Sequence, residues 1–253
     1  MADSDRGVTE HGVGLKRPRL LDGEERLRLF GNGLWYLERT LSLGPGARLP
    51  ARMLVVQLAD GGLFVWSPLA LSPGLREALG GLGPVRFVVA PNTFHHLFLA
   101  DYAGGYPDAE LWAAAGLAEK RSDLPLTGEL GARPAEGWVG ELDQQQIGPL
   151  GRFCEVAFLH RASRSLLLAD LAFNLRGLSR ARDRLLWRVV TGTYGRFGPS
   201  RFARRSLGRD RAHVRDSLTR IAAWDFEHIV VAHGVPIKGG GREVFRAAFE
   251  RWL

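Results

Sequence analysis

Cysteine is nearly absent from this chain: Cys154 is the only one in 253 residues. One thiol cannot close a disulfide within the chain, and it cannot build a multi-cysteine zinc site or hold an iron–sulfur cluster by itself. Lysine is almost as scarce, with only Lys16, Lys120 and Lys238, so arginine supplies nearly all the positive charge. No apolar run approaches the roughly 18 residues that a membrane-crossing helix needs. The first stretch, MADSDRGVTEHGVGLKRPRLLDGEE, has no apolar signal-peptide core. Together these absences lead us to expect a cytoplasmic protein, kept in a reducing compartment, with no membrane span. Internal repeats and low-complexity tracts are missing too.

What is present is ordinary globular material. A composition of 45% hydrophobic and 24% charged residues, over 253 residues, is enough to bury a full core. Residues 1–25 are polar and are expected to form a flexible segment. Strand patterns are spread along the remainder, so 26–253 reads as a single domain. The charge is not even. Residues 176–220 hold thirteen arginines against only Asp183, Asp210 and Asp216, so that segment carries +10 of a net +7 and the rest of the chain −3. We read it as a basic helical insertion. Such a segment can meet phosphate, nucleic acid or an anionic surface, or it can present solvated helix faces.

The coarse element pattern is α/β. LFGNGLWYLERTLSL and ARMLVVQLADGGLFVWSP read as strands, the second turning at Asp60-Gly61-Gly62. Ser72 caps a helix that has Pro73 at its first position and ends at Gly80-Gly81. VRFVVAP is a continuous apolar run, as expected of a strand covered on both faces. DYAGG reads as a loop, followed by a short helix from about Asp108. Residues 121–150 read as connections around one or two short strands. FCEVAFLH and SRSLLLADLAFNL pair across RASR. A helix capped by Ser179 is expected to bury Leu185, Leu186, Val189 and Val190. A second amphipathic helix, a last buried strand in FEHIVVAHG and a closing helix complete the chain.

Three apolar runs stop on residues that bind metals. VRFVVAPNTFHH delivers His95 and His96, SLLLAD delivers Asp170, and HIVVAHG delivers His233. Ligands gather where the strands of layered α/β folds end, because loops converge there. Imidazole with carboxylate suits zinc, iron or manganese. The alternative for each residue alone is a turn cap or a structural histidine. His160 and His213 are expected at the surface, and Cys154 in the core.

These residues and their order resemble the metallo-β-lactamase superfamily, from about residue 30 to 253. LFVWSP sits where relatives end a strand in Asp-Pro or Ser-Pro. VVAPNTFHHLFLADYAGG sits at the family's H-x-H-x-D-H motif, LLLADL at its bridging aspartate and VVAHG at its last histidine. The PN…HH form looks like a divergent, poorly characterised branch. The resemblance implies a four-layer αββα sandwich. It places the first two motif histidines on Pro91 and Thr93 and a further one near Gly151, none of which is a usual ligand. One of two metal sites is thus lost, and the other keeps His95, His96, Asp170 and His233 as ligands of one divalent transition metal, zinc first, with iron or manganese as alternatives. Glu155 stands near the lost histidine, where it could reach the site as a ligand or proton acceptor, and a structural part is the preferred expectation for it. The implied activity is metal-dependent hydrolysis of a small anionic ester, lactone or phosphate. The alternatives are a non-catalytic descendant that binds a ligand or partner, a nucleic-acid-processing enzyme, and an iron-dependent oxidoreductase.

Overall fold

Residues 18–21, 26–44 and 47–253 are described in the computed structural model. The first sheet contains β1 (Arg19–Leu20), β2 (Arg28–Gly31), β3 (Leu34–Ser42), β4 (Arg48–Gln57), β5 (Leu63–Trp66), β6 (Val85–Ala90), β7 (Glu110–Ala114) and β8 (Gly128–Leu130). Its order is β1-β3-β4-β5-β6-β7-β8, with β2 also paired to β3. Neighbours are antiparallel as far as β5 and parallel from β5 to β8. The second sheet has the order β12-β11-β10-β9, from β9 (Leu142–Leu150), β10 (Phe153–His160), β11 (Ser165–Leu168) and β12 (His228–Val231), with β11 and β12 parallel.

Side-chain alternation assigns the layers. Along β6, Phe87 and Val89 join Trp66, Phe158, Leu167 and Val230 in an apolar core between the sheets. Val88 and Ala90 point the other way, onto α1 (Pro73–Gly80), α2 (Leu99–Gly105) and α3 (Leu117–Lys120). The outer face of the second sheet is covered by α5 (Arg201–Leu207), α6 (Arg211–Ala223) and α7 (Gly241–Phe249). The result is helices, sheet, sheet, helices, the layering expected from the sequence. A strand buried on both faces needs apolar residues at consecutive positions, which is why VRFVVA shows no polar alternation.

Local signals behave as their chemistry predicts in several places. The Ser72 hydroxyl accepts the Leu75 N–H at 3.2 Å at the start of α1. Asp60 Oδ1 accepts the Gly62 N–H at 2.8 Å, and Gly61 takes φ +84°, a left-handed conformation that favours glycine. Elsewhere tertiary context wins. DYAGG, expected as loop, forms most of α2, while ELWAA, expected inside a helix, is β7. Five residues cannot sustain an isolated helix, and here β6 and β8 supply parallel backbone partners on both sides. The expected short strand before FCEVAFLH is the nine-residue β9.

α4 (Ala181–Val190) lies where the sequence predicts, but Ser179 does not cap it and its buried face is different. Trp187 anchors it, donating its indole N–H to the Arg48 carbonyl at 2.6 Å and packing with Leu49, Phe173 and Leu175. Leu185, Val189 and Val190 are more than half exposed. Within the segment expected to be flexible, Arg19 and Leu20 pair with β3, giving their backbone groups ladder partners; 1–17 and 22–25 lie outside the described residues. Among the described residues, no helix is long and apolar enough to cross a membrane.

Candidate metal centre

The end of β6 is shaped by Asn92. Pro91 offers its carbonyl to Val156 N–H at 2.8 Å, tying the loop to β10. Asn92 Oδ1 then accepts the N–H groups of Phe94 and His95, both at 2.9 Å, which turns the chain and aims His95. Its amide nitrogen donates to Asp170 Oδ2 at 2.9 Å and to Glu155 Oε2 at 3.1 Å. Glu155, fully buried on β10, holds the end of β11. Its Oε1 accepts Ala169 N–H at 2.9 Å, and its Oε2 accepts Asp170 N–H at 2.6 Å and Leu171 N–H at 2.9 Å. Burial, and then the Asp170 charge, push the Glu155 carboxyl up to about 8 against these donors. Glu155 thus builds the site and is not a donor in it.

His95, Asp170 and His233 converge. His95 Nε2 lies 3.2 Å from His233 Nε2 and 3.3 Å from Asp170 Oδ2, and His233 Nε2 lies 3.4 Å from Asp170 Oδ1. Burial opposes the Asp170 charge, but the two imidazoles outweigh it and hold the carboxyl well below the usual carboxylate range. The His233 tautomer follows from its partner. Nδ1 sits 2.7 Å from the Pro50 carbonyl, which only accepts, so Nδ1 carries the proton and Nε2 presents a lone pair inward. Donors about 2.0–2.1 Å from a tetrahedral ion stand about 3.3–3.4 Å apart, so the spacing fits a metal of zinc's size. Among the described residues this is the only group of three such donors.

His96 is a correction to the ligand set read from the sequence. Although adjacent to His95, it is 6% exposed and turned away, with Nδ1 3.0 Å from Arg121 Nη1 and Nε2 without a partner. Burial, followed by the charges of Lys120 and Arg121, pushes its pKa down to about 3. The physical reason is the Asn92 turn: successive residues leave it in different directions, so only one imidazole faces Asp170. The group that could hold a metal therefore has three protein donors, His95, Asp170 and His233. His160 is another correction: it is 2% exposed, against Ser163 Oγ at 2.7 Å, while His213 is half-buried and accepts Gly148 N–H at 3.1 Å. Cys154 is buried as expected, and burial raises its thiol pKa.

Sequence reasoning gave no positioning role to the residues that hold the donors, although Ser67 stood in the quoted LFVWSP. Ser67 Oγ lies 2.5 Å from His95 Nδ1, and Ser67 holds φ +53°, a strained value for a non-glycine residue next to a site. Arg52, 2% exposed, donates to the carbonyls of Val231 and Gly234 on either side of His233 and pairs with Glu38. Its only signal was a charge inside the apolar run ARMLVV. The Phe173 ring stacks on His233, 5.1 Å between centroids and 13° from parallel. A cavity of about 110 Å³ opens beside the triad, walled by Leu41, Leu49, Leu97 and Phe98 together with Ser67, His95 and His233.

No curated protein sequence matches the chain. Solved structures do. The DIM-1 metallo-β-lactamase exposed to ceftazidime superposes with a TM-score of 0.60 at 12% identity, over 94% of this chain and 100% of that one. FIM-1 from Pseudomonas aeruginosa, in its mono-zinc form, gives 0.59 at 13% identity, over 89% and 93%. The metal-soaked Flv1 flavodiiron core from Synechocystis sp. PCC6803 gives 0.58 at 12% identity, over 94% of this chain and 61% of that chain. At these identities the likeness is one of fold. Residues 31–177, more than half of the chain, match the family model described as Domain of unknown function (DUF4336). The chain belongs to that DUF4336 family and has a metallo-β-lactamase-like α/β fold of two mixed sheets with flanking helices.

Proposed function

We propose that this protein is a mononuclear metal-dependent hydrolase in which His95, Asp170 and His233 hold one divalent transition metal, zinc before iron or manganese. The observation that carries the reading is the convergence of three donors 3.2–3.4 Å apart, with the inward lone pair of His233 fixed by Pro50. When bound, such an ion supplies a Lewis acid for a carbonyl oxygen and makes water a stronger nucleophile at neutral pH. The chain's own groups prepare that chemistry. Asp170 stays ionised, Ser67 and Asn92 orient His95, and Arg52 and Phe173 keep His233 in place. The leucine walls of the adjoining cavity give the triad an apolar flank.

The surroundings narrow the substrate class. The cavity at the triad has no arginine or lysine in its wall, which favours an ester or lactone over a phosphate at the reacting centre. Phe94 also lines a second cavity, of about 590 Å³, that carries Lys120 and Arg152 and suits a negatively charged end of the same small molecule. We therefore favour a carboxylate-bearing ester or lactone.

Metal analysis of protein purified without a polyhistidine tag tests the reading. It calls for close to one ion per chain after incubation with zinc, a higher melting temperature, and metal-dependent hydrolysis of a chromogenic carboxylate-bearing ester. If zinc, iron and manganese neither bind nor raise the melting temperature, the reading is wrong.

A further inference from the structure

The loop before α5 and the end of α7 enclose another cavity, of about 510 Å³. Arg176, Arg196, Arg204 and Arg251 line it with Phe197 and Trp252, and no carboxylate does. The hydrogen bonds of these arginines go to neutral acceptors: Arg176 Nε to Asn174 Oδ1 at 3.0 Å, Arg196 to the Gly192 carbonyl at 3.0 Å, and Arg204 Nε to the Pro199 carbonyl at 3.0 Å. Among the described residues none of the four forms an ion pair, whereas Arg86, Arg161 and Arg164 find Asp60, Asp143 and Asp225. The crowding is real: burial, then the charges of Arg196 and Arg201, lower the pKa of Arg204. Like charges gathered around a concavity, with no acid among them, leave an anion as the missing component.

The walls indicate which anion. Guanidinium groups bind phosphate oxygens through paired N–H donors, and four of them exceed what one small monoanion can engage. Phe197 and Trp252 are half-buried and add a flat apolar surface that an inorganic ion cannot use. The volume falls in the range of small-molecule sites, roughly 300–1,000 Å³. We propose that this cavity binds a nucleoside polyphosphate, with its phosphates on Arg176, Arg196, Arg204 and Arg251 and its base against Trp252. The site is separate from the His95–Asp170–His233 triad and does not depend on the hydrolase reading.

Isothermal titration of the full chain with ADP and ATP at low and moderate salt tests it. We expect one-to-one binding that an Arg176→Gln/Arg251→Gln double variant weakens by about tenfold or more. Both arginines are exposed, so the fold should survive, and the melting temperature checks this. An Arg182→Gln/Arg188→Gln control removes the same charge from α4, outside the cavity, and should bind as the parent does. A Trp252→Leu variant should lose affinity for ADP but not for pyrophosphate. The proposal fails if ADP does not bind at low salt, or if the α4 control loses as much affinity as the cavity variant. It also fails if pyrophosphate binds as tightly as ADP, or if a single-stranded oligonucleotide binds more tightly through the same arginines.

Discussion

His95 and His96 are neighbours in the chain and opposites in the fold. His95 faces two further donors, with a serine hydroxyl behind it. His96 faces a guanidinium, and its pKa is held down at about 3. A fixed cation next to an imidazole opposes the arrival of a second cation, so the same side chain joins a group that could hold a metal in one place and is a buried ring in the next. What separates them is not residue type but the direction in which each side chain leaves the loop after β6. Asn92 sets that direction with two hydrogen bonds from the backbone.

The largest effect should come from exchanging their fates. His95→Ala is expected to weaken zinc binding by about 100-fold or more, as a lost ligand should. His96→Ala should leave the stoichiometry and affinity unchanged. Competition against a chromophoric chelator measures both; equal losses would erase the distinction drawn here. Each histidine also has its arginine, and these should differ next. Arg52 is buried with three partners, so Arg52→Met is expected to destabilise the fold by about 3 kcal/mol and to loosen His233. Arg121 pairs with Asp123, which is 59% exposed, and otherwise partners the buried His96, so Arg121→Met should cost less, about 1–2 kcal/mol. Urea unfolding of the metal-free proteins compares the two.

Much of this site was readable because burial is readable. Runs such as SLLLAD and HIVVAH must be strands inside a core, and the first polar residue after them must emerge at a sheet end. That reasoning placed Asp170 and His233 together, while the structural part preferred for Glu155 came from its place near the lost histidine of the family pattern. The same reasoning took both His95 and His96 as donors and set His96 ahead of His95, because which ring faces Asp170 is decided by the turn that the Asn92 side chain makes with the Phe94 and His95 N–H groups, and adjacency in sequence does not show that turn. ELWAA was misread for a related reason: its strand state comes from β6 and β8, not from its own alanines. On α4 the pattern of leucine and valine suggested one buried face, but a single tryptophan anchored another. Arg52 gave no usable signal, since a charge in an apolar run reads as an edge until its partners are seen.

Ser67→Ala probes the His95 side more gently. The ligand remains, but its orienting hydroxyl is lost. Metal affinity should fall about tenfold, and the strained backbone at φ +53° gives no reason for a compensating gain. A loss as large as that of His95→Ala would mean that Ser67 organises the loop as well as the ring. No loss would mean that Asn92 alone is sufficient.

The smallest expected effect concerns burial without any metal. His160 is enclosed like His96 and has its pKa pushed down by burial to about 4, but it lies on β10 against the Ser163 hydroxyl. Its pKa is depressed on folding, so the unfolded chain takes up the proton first as pH falls. Its stabilising contribution is therefore whole above about pH 6.5 and is lost towards pH 4. Between pH 6 and pH 5 this amounts to about 1 kcal/mol, read from urea unfolding of metal-free protein so that proton release on metal binding does not intrude. His160→Gln should lose that much less across the same interval. His96 has the same sign with a lower folded value, so the variant should still lose stability as pH falls from 6 to 5, and a His160→Gln/His96→Gln pair should lose the least. Parallel pH curves for the parent and all variants would mean that neither ring is held neutral by the fold, and the contrast with His95 would then rest on geometry alone.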